Sequence, residues 1–130
     1  MTAYTADQLA DIEGIRAILD EYCLRLEVNT FEEWLDVFTP DAVYTVYGKD
    51  LEGRQAISDM LSQAPDGLHM PGATRIELNG DSAETIQSYS FIGDDPKFSN
   101  TGWYYRTVVR TPDGWRISRC KVKFNKPDKK

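Results

Sequence analysis

The sequence predicts an α+β fold in which three helices pack on a curved antiparallel sheet. Helical periodicity dominates first and strand alternation later. Two capping boxes, Thr5 with Gln8 and Thr30 with Glu33, mark helix starts near the N-terminus. Turn signals at Asn79-Gly80 and Thr111-Pro112-Asp113-Gly114 divide the later part into long strands.

The first helix follows Thr5. Leu9, Ile12, Ile15, Leu19, Tyr22 and Leu26 recur at three- and four-residue steps, giving one buried stripe. Phe31, Trp34, Leu35 and Phe38 give a short second helix after Thr30, and Pro40 stops it. Ala42 to Tyr47 is β-branched and aromatic and reads as a strand. Gly48 to Gly53 reads as a turn, and Gln55 to Ser62 as a third helix carrying Ile57, Met60 and Leu61. From His69 the chain becomes a meander. Thr74 to Leu78 is one strand and Ser82 to Ile92 the next. In the latter, Ala83, Thr85, Gln87, Tyr89 and Phe91 share a face, with Glu84, Ile86, Ser88, Ser90 and Ile92 opposite. After a polar loop from Asp94 to Thr101, Trp103 to Arg110 and Trp115 to Phe124 form the last hairpin.

Residues 1–130 read as one domain, with 41% apolar residues for a core. A net charge of −6 argues against a nucleic-acid partner, which needs clustered Lys and Arg. No window approaches the roughly 20 apolar residues of a membrane span. The first residues lack a basic stretch followed by an apolar one, so no signal peptide is expected. Cys23 and Cys120 sit in apolar segments and read as reduced core residues of a cytoplasmic protein. One histidine and two distant cysteines make no zinc pattern, so no metal is expected. There is no glycine-rich phosphate loop, and no cofactor is expected. Large residues on more than one strand face, Tyr89, Trp103 and Tyr105 among them, predict a homodimer.

Several segments, in this order, carry a resemblance. They are Ile18-Leu19-Asp20-Glu21-Tyr22 through Glu27, Trp34 through Ala42, and Leu51-Glu52-Gly53-Arg54-Gln55-Ala56-Ile57. Leu68-His69, Asn79 through Ala83, Gly102-Trp103-Tyr104-Tyr105 and Asp113 through Ile117 follow. The set resembles the SnoaL-like branch of the nuclear transport factor 2-like superfamily. The resemblance implies its cone-shaped fold. More narrowly the chain is similar to the scytalone dehydratase, bile-acid 7α-dehydratase and dehydrochlorinase members, which use an Asp–His pair. The matching positions are Glu27 and His69, with Tyr22 five residues before Glu27. The acid here is Glu, one methylene longer. Where scytalone dehydratase has a second histidine this chain offers only Ser88 or Ser90.

The resulting expectation is a cofactor-independent lyase or isomerase acting on an apolar substrate, polycyclic ones included. His69 takes a proton next to an activating group, Glu27 orients the ring, and Tyr22 stabilises or protonates oxygen. Tyr44, Asn29, Trp34, Phe38, Met60, Phe91 and Ser90 are the candidate substrate contacts. Tyr44 and Tyr47 point to opposite strand faces, with Tyr44 preferred for the interior. Arg106 and Arg119 lie within strands, where a concave-face arginine holds a substrate anion and a convex-face one is solvated. The alternative is a non-catalytic small-molecule binding or accessory protein of the same fold.

Overall fold

A computed structural model describes residues 3–28 and 35–125. Helix α1 spans Ala6–Glu27, and Thr5 and Gln8 close the expected capping box reciprocally. A 3-10 turn at Leu35–Val37 leads into β1 (Phe38–Val46), then β2 (Lys49–Glu52) and helix α2 (Arg54–Leu61). Strands β3 (Gly67–Asn79), β4 (Ser82–Gly93), β5 (Asn100–Thr111) and β6 (Gly114–Phe124) complete the chain, with a 3-10 turn at Pro96–Phe98. The six strands form one sheet in the order β2-β1-β6-β5-β4-β3.

Three expectations are corrected. The sheet is mixed, because β1 runs parallel to β6. The described residues hold two α-helices. Of the expected second helix, Phe31 to Trp34 lie outside the described residues, and Leu35 to Val37 make only a 3-10 turn. Pro40 does not end a helix; it lies inside β1, where the register against β6 shifts between Phe38 and Val43. A bulge tolerates the missing N–H. Arg54 compensates there by donating from Nε to the Phe38 carbonyl at 3.1 Å. The third correction concerns Gly48 to Gly53, which is no simple turn. Tyr47 and Gly48 take positive φ and Lys49–Glu52 pairs back on β1 as a hairpin.

The expected stripe on α1 is buried at Ile15, Leu19 and Tyr22, whereas Leu9 is exposed and Ile18 and Cys23 join the core instead. Alternation in β4 follows the sequence pattern: Ala83, Thr85, Gln87, Tyr89 and Phe91 are all buried. Helix α1 packs on β3 and β6. Gly14 brings the helix backbone against the Trp115 ring, where a Cβ would stand 2.9 Å from a ring carbon. Arg110 stacks on Trp115 and bridges Asp11 and Asp81 at 2.8 and 2.9 Å. These exposed pairs fix orientation more than they add stability. The open end of the fold, between α2, β1 and the far ends of β4 to β6, is left for a cavity.

Candidate functional site

The cavity has a volume of about 330 Å³. Its wall is aromatic: Tyr22 from α1, Tyr44 from β1, Tyr89 and Phe91 from β4, Tyr104 from β5 and Phe124 from β6. Strand alternation explains this, since each strand residue occupies an inward position. Met60 and Leu61 of α2 close one side, and His69 of β3 lies in the same wall.

The Tyr22 and Tyr44 hydroxyls share a hydrogen bond of 2.6 Å. Phe38 meets the Tyr22 ring edge-on at 5.9 Å and the Tyr44 ring at 6.3 Å. Phe38 is itself fully buried, so it supports the pair from behind and does not stand on the cavity wall. Burial holds the Tyr22, Tyr44 and Tyr104 phenols well above their ordinary range, so all three are protonated donors at neutral pH. Tyr89 stacks on Tyr104 at 4.5 Å and donates to Asn100 Oδ1 at 2.6 Å.

His69 packs on Phe91 with ring centroids 4.7 Å apart. Its Nδ1 is buried without a hydrogen-bond partner among the described residues. Burial pushes its pKa below 6.5, and the negative charge of Glu27 pulls the other way. Glu27 is close, but it is spent differently from the expected pairing: its Oε1 accepts from the His69 backbone N–H at 2.7 Å. The carboxylate therefore clamps the main chain of β3 to the end of α1 and leaves the imidazole Nδ1 without a partner among the described residues.

The other sequence candidates separate. Tyr44, Met60 and Phe91 line the cavity. Ser90 alternates with Tyr89 and Phe91 along β4 and lines, with Ile92, a separate depression of about 700 Å³ that meets the cavity at Phe91, Phe98, Asn100 and Phe124. It is not in the cavity wall. Asn29 and Trp34 lie outside the described residues. Tyr47 is 79% exposed and reaches only the cavity mouth. Sequence reasoning passed over Tyr89, Tyr104 and Asn100 as site residues. Tyr89 was legible, because it alternates in step with Phe91. Among the described residues, no group of three or more His, Cys, Asp or Glu is placed to hold a metal ion.

The sequence profile of the SnoaL-like domain matches residues 7–121. The chain belongs to the SnoaL-like family. A relative of this SnoaL-like domain, the uncharacterized protein Rv2910c of Mycobacterium tuberculosis, is 33% identical over 124 residues, covering 86% of this chain and 84% of its own length. Solved structures share the fold. A variant of Rv3472, a protein of unknown function from M. tuberculosis, superposes with a TM-score of 0.84 at 21% identity, covering 93% of this chain and 75% of that one. An NTF2-like protein with a cystatin-like fold from Novosphingobium aromaticivorans gives 0.83 at 22%, covering 94% and 86%. The hexachlorocyclohexane dehydrochlorinase LinA-type3 of Novosphingobium barchaimii gives 0.81 at 18%, covering 92% and 90%. The SnoaL-like domain is thus an α+β, cystatin-like cone with a curved mixed sheet. No helix among its described residues is long and apolar enough to cross a membrane.

Proposed function

We propose that this SnoaL-like domain is a cofactor-independent lyase or isomerase for a largely apolar ring compound bearing a carbonyl or hydroxyl. The observation that carries the reading is one cavity walled by both an imidazole with an unpartnered Nδ1, His69, and a buried hydroxyl pair, Tyr22 and Tyr44; burial of His69 favours its neutral form. A neutral imidazole accepts a proton from carbon next to an activating group. One hydroxyl of the tyrosine pair donates to the other; the remaining O–H donates to the substrate oxygen as charge develops there, in competition with Cys120 where it belongs to Tyr44. Glu27 positions the β3 backbone and stabilises the imidazolium through its charge. The cavity of about 330 Å³ lies within the roughly 300–1,000 Å³ typical of ligand sites, and it meets a second depression of about 700 Å³ at Phe91, Phe98, Asn100 and Phe124. The dehydrochlorinase neighbour performs an elimination by name, which is the same class of reaction. Exposed Ile92 and Tyr105 on the outer sheet face support a second subunit there.

The test is a panel of cyclic β-hydroxy and β-halo carbonyl compounds and their unsaturated isomers, incubated in D₂O and followed by NMR. Elimination, isomerisation or deuterium uptake at the activated carbon in the wild type, absent in His69→Gln, is the expected result. Activity that survives His69→Gln overturns the assignment of the base. A second reading, a ligand-binding protein without chemistry, is favoured by the engagement of Glu27 with main chain instead of the imidazole. It is supported if compounds of the panel bind and none is turned over.

A further inference from the structure

Arg106 is the largest fully buried side chain among the described residues, 1% exposed, and it points inward from β5 between α1 and the sheet. It makes no ion pair among those residues. Its Nη2 donates to Gln87 Oε1 at 2.6 Å, and Gln87 in turn donates to Thr74 Oγ1 at 2.9 Å. Its Nε and Nη1 are buried with no acceptor among the described residues. The guanidinium lies 4.4 Å from the centroid of Tyr104 and 5.1 Å from that of Tyr22, both of them cavity walls. Ring faces attract a cation but do not neutralise it. An arginine does not lose its proton, so the charge persists. Buried charges are otherwise paired, and one left alone is strongly unfavourable. Arg119, by contrast, is exposed on the outer face and needs no partner.

No described carboxylate lies within ion-pair distance of the guanidinium; Asp20 shares only a small cavity with Gln87, the acceptor of Arg106, while the larger volume that adjoins Tyr22 and Tyr104 is the aromatic cavity. The carboxylate beside His69, that of Glu27, is already engaged with the β3 main chain. We infer that the cavity selects its ligand as an oxyanion of the phenol or enol class, seated at the Tyr22–Tyr44 hydroxyls, with Arg106 supplying the counter-charge through the Tyr22 and Tyr104 rings. The aromatic walls suit the ring, and the protonated hydroxyl pair suits the oxygen. Arg106 does not line the cavity, so it is a positioning and charge-setting residue rather than a catalytic one. The same field favours charge on Tyr22 and Tyr104 themselves and on the Cys23 and Cys120 thiols, opposing the effect of burial on all four. This inference rests on the reading of the cavity as the substrate site.

The experiment uses 4-nitrophenol, whose phenolate is yellow, and its neutral methyl ether, 4-nitroanisole. The protein is titrated into 4-nitrophenol at the pH of its free midpoint. The expected result is growth of the phenolate band, corresponding to a ligand pKa lowered by at least about one unit, or tenfold preference for the anion. Arg106→Gln abolishes that preference, so that the affinity for 4-nitrophenol relative to 4-nitroanisole falls at least about tenfold, whereas Arg106→Lys keeps it. His69→Gln also keeps it, which excludes a protonated imidazole as the source of charge. If the phenolate band fades on binding, the cavity prefers the neutral phenol; the inference is overturned and the acid/base reading stands. If the band grows equally in Arg106→Gln, the charge assignment is overturned. Should Arg106→Gln not fold, the wild-type band and Arg106→Lys decide. If neither probe binds, the substrate-site reading falls with the inference.

Discussion

Glu27 holds His69 by its backbone and not by its ring: Oε1 accepts the main-chain N–H at 2.7 Å while the imidazole Nδ1 has no partner among the described residues. A carboxylate at the negative end of a helix dipole is unfavourably placed unless something compensates it. Here the compensation is a hydrogen bond across the fold, 42 residues away in sequence. The strand that presents the imidazole is thereby fixed to the helix that presents Tyr22.

Replacing Glu27 separates these roles. Glu27→Gln keeps an oxygen that accepts the His69 N–H, so stability changes little. Glu27→Ala leaves that half-buried N–H without an acceptor and costs about 1–3 kcal/mol, read from a denaturant midpoint. Equal stability of the two variants would show that the hydrogen bond contributes nothing.

The single imidazole gives a single titration curve. Its midpoint falls below 6.5, because burial outweighs the opposing charge of Glu27. In Glu27→Gln the midpoint falls further, since the one influence that raises it is gone. A histidine with a lowered folded pKa binds fewer protons when folded. Its share of stability is therefore complete above the unfolded value of about 6.5 and is lost as pH falls through the folded value. Under the proposed function, turnover follows the same limb, rising with pH to a plateau near neutrality. NMR of the ring protons reads the midpoint, and a value above 6.5 contradicts the structure.

His69→Gln retains the fold and lowers turnover by roughly 10²–10⁴-fold, the range of a general base. Circular dichroism checks the first part and the NMR panel the second.

The buried hydroxyl pair predicts non-additive energetics. Tyr44→Phe strands the Tyr22 hydroxyl and costs about 1–3 kcal/mol; Tyr22→Phe costs less, because the Tyr44 hydroxyl keeps Cys120 as a partner. The double variant costs less than the sum, because both polar groups leave together. Strict additivity in a double-mutant cycle would rule out the 2.6 Å bond as an energetic unit.

Gly102 has no room for a side chain. A Cβ there would strike the Lys123 carbonyl oxygen and come within 2.9 Å of the Tyr89 ring. Gly102→Ala therefore destabilises by about 1–3 kcal/mol and moves Tyr89 at the cavity wall. The readouts are a lowered denaturant midpoint and weakened binding of 4-nitroanisole.

The sequence by itself determined the elements whose signals are local. The Thr5–Gln8 box started α1, the Asn79-Gly80 turn set the β3–β4 hairpin, and alternation sorted β4 into an inner and an outer face. Each of these depends on neighbours within a few residues, so periodicity and turn chemistry carry it. Pro40 misled because a proline reads as a helix stop in isolation but sits equally well in a bulged strand. Tertiary structure alone decided that β1 pairs parallel with β6, since no local pattern encodes the direction of a strand at the other end of the chain. It also decided which atom Glu27 binds, that Tyr22 meets Tyr44, and that Arg106 rather than Arg119 turns inward without an anion among the described residues. Those facts arise from distances between distant segments, and only closure of the chain sets such distances.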